Sequence, residues 1–235
     1  MPVIEPQKIT PAEFQSRTAS WTDIVNGTNI YNLRACFDSK SECMNFAYLS
    51  HDMACLLVAD SDTVTVQSMF AVQPTPAGDT TFSLVFFGIN SAGVRNTDYL
   101  LAGVTELPAE IEVEPDAANA EIPYAKAVAM IKSWNALTLD TLDFTQFDTP
   151  GDAGRLRGYA HDAKDFVRAC ANEAYNGLWF NFARHTDEGA PNSFVTVMCL
   201  NDLPIDGTRS KLVMSPKAVY YDLSKPCPPL CGPAQ

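Results

Sequence analysis

The residues best equipped for chemistry in this chain are three histidines, each near a carboxylate. His51 precedes Asp52, His161 precedes Asp162, and His185 is followed by Asp187 and Glu188. A carboxylate that orients an imidazole makes a general base, and a Ser or Cys beside it can serve as nucleophile. Sequence neighbours do not face each other on a helix, so any working pair has to be assembled by the fold. His161 and His185 are the candidate catalytic residues on this reading. The plainer reading is that His and Asp at helix ends act as caps or exposed polar groups.

Two other groupings stand out. Gly151-Asp-Ala-Gly154-Arg155-Leu-Arg157-Gly158 has the composition of a phosphate-binding loop, but neither the dinucleotide nor the P-loop spacing. Arg155 and Arg157 are candidate anion or ligand binders ahead of an expected helix start. Pairing with Asp148 or Asp152 is the structural alternative. Cys227-Pro-Pro-Leu-Cys231 places two thiols on a stiff tail, suited to half a metal site or a disulfide. A structural zinc site needs four ligands, and no second Cys or His pair has ligand spacing. Asp140, Asp143, Asp148 and Asp152 do not form a calcium loop. No nucleophile elbow, zincin, kinase or C-x-x-C motif is present, and no cofactor is expected.

The elements that must position these residues fall into two halves. In the first, Thr10, Pro11 and Glu13 form a capping-box start for a helix over Pro11 to Val25. A second helix is expected from Ser39 to Ser50, then strands over Met53 to Ala59, Thr63 to Val72 and Thr81 to Asn90. The last, TFSLVFFGIN, is the longest apolar run and reads as a strand buried on both faces. Residues 105–123 carry six acidic residues, three prolines and no basic residue, which marks a boundary. The second half restarts with helices over Tyr124 to Leu137 and Tyr159 to Glu173. Strands follow over Leu178 to Arg184 and Ser193 to Asn201, with weaker ones at Leu212 to Met214 and Ala218 to Asp222.

The order repeats, and Trp21, Leu56–Asp60 and Leu84–Asn90 align with Trp134, Trp179–Ala183 and Val195–Asn201, while Phe46-Ala47 falls near the place of Phe166-Val167. The expected fold is therefore α+β: two similar αα-ββ halves, a possible internal duplication, with mainly antiparallel sheet and helices packed on one side. The expected division is 1–104, an acidic linker 105–123, 124–222, and a proline- and cysteine-containing tail 223–235.

The formal net charge of -12 repels phosphate backbones and anionic bilayers, so neither nucleic acid nor membrane is an expected partner. A protein partner or self-association into a homo-oligomer remains. Seven cysteines without regular spacing, with Cys55, Cys170 and Cys199 in apolar surroundings, suit a reducing compartment. The amino end has no basic, apolar signal pattern, and a cytoplasmic location is expected. These observations favour a non-catalytic binding or protein-interaction module. The alternative is a small hydrolase-like enzyme with a His, a carboxylate and an Arg in a cleft between the halves.

Overall fold

The structure, a computed structural model, describes residues 4–39, 42–75, 77–104, 111–113, 124–149, 154–171, 177–186, 193–201, 212–214, 220–222 and 225–227. In chain order the elements are β1 (Gln7–Ile9), α1 (Pro11–Asn26), α2 (Ile30–Phe37), β2 (Asp38–Ser39), β3 (Glu42–Cys43), β4 (Phe46–Ser50) and α3 (His51–Leu56). They continue with β5 (Thr63–Pro74), β6 (Thr80–Asn90), β7 (Tyr99–Leu101), β8 (Ile111–Val113), α4 (Tyr124–Asn135) and a 3-10 turn (Phe144–Phe147). The last are β9 (Gly158–Asp162), α5 (Ala163–Cys170), β10 (Gly177–Arg184), β11 (Phe194–Asn201), β12 (Leu212–Met214), β13 (Tyr220–Asp222) and β14 (Lys225–Cys227).

The fold is mixed α+β with two mainly antiparallel sheets, ordered β1-β7-β6-β5-β9-β14 and β13-β11-β10-β4. Strand β4 of the amino-terminal half completes the sheet of β10, and β9 of the carboxy-terminal half completes the sheet of β5. The sheets are joined at their margins. The chain runs from β7 to a backbone bridge between Gly103 and Tyr48 of β4, and from β13 in one sheet to β14 beside β9 in the other.

The pairing of one sheet recurs in the other at a constant spacing. Val66 opposes His161, and Leu178 opposes Leu49; both partners differ by 112 (178 − 66 and 161 − 49). Phe70 donates its backbone N–H to Arg157 O, and Phe182 donates its own to Asn45 O, both at 2.8 Å and again 112 apart (182 − 70 and 157 − 45). Trp21 Nε1 donates to Leu156 O and Trp134 Nε1 to Met44 O, each at 2.9 Å. Each indole hangs on a carbonyl of the opposite half.

The core lies between the sheets. Phe86 stacks obliquely on Phe180 at 4.4 Å between centroids, and Phe82 meets Phe182 edge-on at 5.4 Å. Helices α1 and α4 send Trp21 and Trp134 into this aromatic cluster. A second, smaller cluster joins Phe14 of α1 to Val85, Phe87, Tyr99 and Leu101. The capping box at Thr10 and Glu13 forms as its residue types dictate.

Three expected elements are corrected. The helix expected over Ser39 to Ser50 is instead the strands β3 and β4, because β4 is buried and hydrogen bonded along β10. The strand expected over Met53 to Ala59 is the end of α3, whose Ser50 cap accepts from Met53 N. The helix expected from Tyr159 starts only at Ala163, since Gly158 to Asp162 pair with β5. The strand correspondence also shifts by one residue: Ile89, not Asn90, stands where Asn201 does, opposite Thr65 and Gly177 respectively. Of the acidic linker, only β8 lies within the described residues, paired parallel with β12.

Close strand packing sets one sharp requirement. A Cβ at Gly158 would stand 2.2 Å from Ser68 O and 2.9 Å from Met69 Cα, both backbone atoms of β5. Gly158→Ala is expected to force β9 away from β5 and lower stability by about 1–3 kcal/mol, as overpacking does. Urea unfolding of the variant measures it.

Candidate functional site

The sequence-derived candidates are dispersed by the fold. His161 sits on β9, 2% exposed, with Phe166 at 6.0 Å and Phe86 at 6.4 Å between ring centroids. Its Nε2 lies 2.7 Å from Ser68 Oγ, whose hydroxyl is also 3.4 Å from Tyr159 O. A Ser–His contact of this length resembles a nucleophile and its base, but Nδ1 is buried with no partner, so no carboxylate orients the ring. With Ser68 donating to Tyr159 O, the ring donates from Nε2 and leaves a bare lone pair at Nδ1, the cheaper orphan. Burial drives the imidazole pKa down to about 3, so the ring is neutral at physiological pH. Leu49 and Phe180 occupy the positions 112 residues away from His161 and Ser68. The polar pair thus fills volume that the other sheet fills with apolar side chains.

Arg155 is half-buried and engaged: its guanidinium pairs with Asp148 and donates to Phe144 O at 2.9 Å, closing the turn between them. Arg157 is exposed, and its carbonyl holds Phe70 N. His185 is half-buried at the end of β10, with its N–H donated to Ser193 O; Asp187 and Glu188 lie outside the described residues. No hydrogen bond or ion pair joins the side chains of His161, His185, Arg155 and Arg157 to one another among the described residues. Cys227 is the last residue of β14, opposite Gly158, and Cys231 lies outside the described residues. Among the described residues no cluster of three His, Cys, Asp or Glu could hold a metal ion.

A different set of residues lines a candidate site. An open cleft of about 460 Å³ is lined by Lys8, Leu56, Ala59, Asp60, Arg95, Asn96, Thr97, Asp98 and Leu100. Its wall is the excursion between β6 and β7. Asn90 Oδ1 accepts from Ala92 N and Val94 N and so shapes the turn, where Gly93 adopts φ 78°. The excursion is then pinned back on β6: Asn96 N donates to Gly88 O at 3.1 Å, and Gly88 N donates to Thr97 Oγ1 at 2.7 Å.

The polar groups here are held but incompletely satisfied. Arg95 lies over the Tyr99 ring at 4.3 Å and donates to Thr97 O. Asn96 Nδ2 donates to Asp60 Oδ2 and Thr63 Oγ1, while Lys8 and Asp98 pair at 2.8 Å in the open. Arg95 Nε and Asn96 Oδ1 are buried without partners. The cleft brings together two cations, two carboxylates and an amide above Leu56 and the buried Leu100. It contains no histidine and no nucleophile aligned with a base, so it can hold a ligand but has no evident means of cleaving one.

Sequence reasoning missed these residues because none belongs to a motif. The available signal was the polar run Asn90-Ser-Ala-Gly-Val-Arg-Asn-Thr-Asp98 between two apolar strands, too long for a tight hairpin. Among the described residues no helix is long and apolar enough to cross a membrane. Comparison with protein-family models, curated proteins and solved structures finds no match to this chain.

Proposed function

We propose that this chain is a non-catalytic binding protein whose cleft receives an extended peptide segment of a partner protein. The observation that carries the reading is the cleft's composition: charges of both signs and an amide over an apolar floor, with no histidine in the lining. A cleft of this size is within the range of ligand sites, and its openness suits a chain passing through. A peptide supplies backbone donors and acceptors for Asn96 and side chains of either sign for Lys8, Arg95, Asp60 and Asp98. The balanced local charge also spares an acidic partner the repulsion of a surface with net charge -12.

The constant 112-residue spacing of the strand pairs, with indole hydrogen bonds whose acceptors keep it (156 − 44) and whose donors are 113 apart (134 − 21), supports reading the chain as a tandem duplication whose copies exchanged one strand each. That origin accounts for an intertwined body, and it assigns no activity to either copy.

The test is an NMR titration with an equimolar pool of tetrapeptides that each carry one Lys and one Glu. Shifts should concentrate at Ala59, Asp60 and Asn96 to Asp98. Lys8→Ala, which removes only an exposed ion pair, should weaken binding about threefold without changing the melting temperature. Shifts centred on His185 or Arg157, or turnover of an ester or amide probe, would sink the reading.

A further inference from the structure

A second cluster lies where α3 packs against α5, and it has the makings of thiol chemistry. His51 and Cys55 are one helical turn apart on α3, so their side chains share a face. Cys55 Sγ lies 3.9 Å from His51 Nδ1 and 3.8 Å from Nε2. His51 Nε2 is 3.3 Å from the carbonyl of Cys170, the last residue of α5. A carbonyl can only accept, so Nε2 carries the proton and Nδ1, 3.9 Å from Cys55 Sγ, is the basic nitrogen. Asp52 Oδ1 is 3.9 Å from the same Nδ1. His51, Cys55 and Cys170 are half-buried and Asp52 is exposed, which leaves the cluster reachable by a small molecule.

The two cysteines differ in what they can do. They approach each other because α3 packs on α5 and one imidazole touches both, Cys55 Sγ at 3.8 Å and Cys170 O at 3.3 Å from Nε2. Burial, together with the neighbouring Cys55 sulfur, pushes the Cys170 thiol well above its ordinary range. Cys55 has an imidazole beside it. The remaining described cysteines are worse placed: Cys36 and Cys199 are buried, and burial pushes the Cys36 and Cys43 thiols up to about 11.

We propose that Cys55 and Cys170 form a reversible disulfide across the α3–α5 contact, with Cys55 as attacking thiol, Cys170 as resolving thiol and His51 as the base, in exchange with a low-molecular-weight disulfide. In the first step His51 Nδ1 takes the Cys55 proton and the thiolate attacks one sulfur of the reagent. A bond forms from Cys55 to that sulfur, the reagent's S–S bond breaks, and one small thiol leaves with the proton from His51. In the second step Cys170 attacks the Cys55 sulfur, and the second small thiol leaves with the Cys170 proton. The protein loses two electrons and two protons, and the reagent gains both as two thiols. The product ties α3, whose next residue Leu56 lines the cleft, to the end of α5. This inference is independent of what the cleft binds.

The experiment is oxidation of the folded full-length chain by oxidised glutathione, followed by intact mass and peptide mapping without reduction. The expected product is one intramolecular disulfide joining Cys55 to Cys170, reversed by dithiothreitol. Cys170→Ser should stop the reaction at Cys55 carrying one glutathione. His51→Gln should slow thiolation of Cys55 about tenfold at an unchanged melting temperature, and added imidazole should restore part of the rate. A wild-type chain in which Cys55 and Cys170 stay reduced overturns the proposal, as does oxidation that maps only to Cys227 and Cys231. A Cys55–glutathione adduct that persists in the wild type removes Cys170 as resolving thiol and overturns it too.

Discussion

Lowering the pH from 7 to 4.5 should destabilise the wild-type protein by about 2.5 kcal/mol more than it destabilises a His161→Leu variant. Burial places the folded-state pKa of His161 at about 3, against an ordinary value of 6.5. The folded state therefore favours the neutral ring. Its contribution is full above 6.5 and is lost as the pH falls toward 3, because in that window the unfolded chain binds a proton that the folded chain refuses. The loss approaches about 1.4 kcal/mol per pH unit well below 6.5. Carboxylates titrate in both proteins, so the difference between their stability curves isolates this one ring.

Leucine is the right replacement because Leu49 fills the corresponding place in the other sheet. Ser68 keeps Tyr159 O as an acceptor once the imidazole is gone. The variant at pH 7 should accordingly lie within about 1.5 kcal/mol of the wild type, as volume-conserving core changes do. Urea unfolding at pH 7, 6, 5 and 4.5 provides the measurement. Parallel curves for the two proteins would show that His161 is protonated in the folded state, and with it that the ring is reachable and free for acid–base work.

How much of this was legible in the sequence depended on whether the deciding contact was local. The start of α1 was readable because Thr10, Pro11 and Glu13 carry their own hydrogen-bonding instructions. The strands β6, β10 and β11 were readable because long runs of Phe, Val and Leu on both parities suit only a doubly buried strand. The segment Phe46 to Ser50 was not. Its Phe46 and Ala47, with Cys43 just before them, also fit a helical stripe, and the choice was made by β10, more than a hundred residues away. A short apolar run carries no local record of such a partner.

The histidines show the same limit. The matching dipeptides His51-Asp52 and His161-Asp162 invite an alignment at a spacing of 110 (161 − 51), yet the backbone keeps 112. The residues that correspond are Ser50 and Asp162, and both are N-caps, of α3 and α5. Caps were the better guide because their role is fixed by the backbone, whereas a His-Asp pair is chemically suggestive and positionally uninformative. The two-residue offset leaves one histidine on a half-exposed helix beside Cys55 and the other sealed in the core. Arg155 was legible in the opposite sense: an arginine seven residues from Asp148 across a glycine-containing loop needed no ligand to explain it. The cleft residues could not be found from residue types, since Lys8, Asp60 and Arg95 come from three separate segments, brought together by the pairing of β1 with β7, the Ile89–Arg95 bridge and the Asn96–Asp60 hydrogen bond.

The placement of β4 beside β10 and of β9 beside β5 has a consequence larger than any single substitution. If the chain is cut between Ala117 and Ala118, neither fragment should fold cooperatively by itself, and the two together should restore one cooperative unit. Each fragment retains a three-stranded meander, β5-β6-β7 or β10-β11-β13, but lacks the strand that completes its sheet. The amino-terminal piece would leave the N–H and C=O groups of β5 that face β9 unpaired, and Trp21 would lose its acceptor at Leu156 O. The carboxy-terminal piece would likewise lose β4 from β10, and Met44 O from Trp134. Each would also expose one side of the aromatic core, where Phe86 packs on Phe180 and Phe82 on Phe182. Uncovering several such side chains costs about 2 kcal/mol apiece in transfer free energy. A domain's net stability is only about 5–15 kcal/mol, so a fragment has no margin for that loss. Co-expression should give a complex that copurifies through a tag on one fragment and melts in a single transition, with a midpoint that rises with concentration. Two separate domains joined by an acidic linker would behave otherwise: each fragment would show its own sharp melt, no complex would form, and the exchanged-strand description would have to be abandoned.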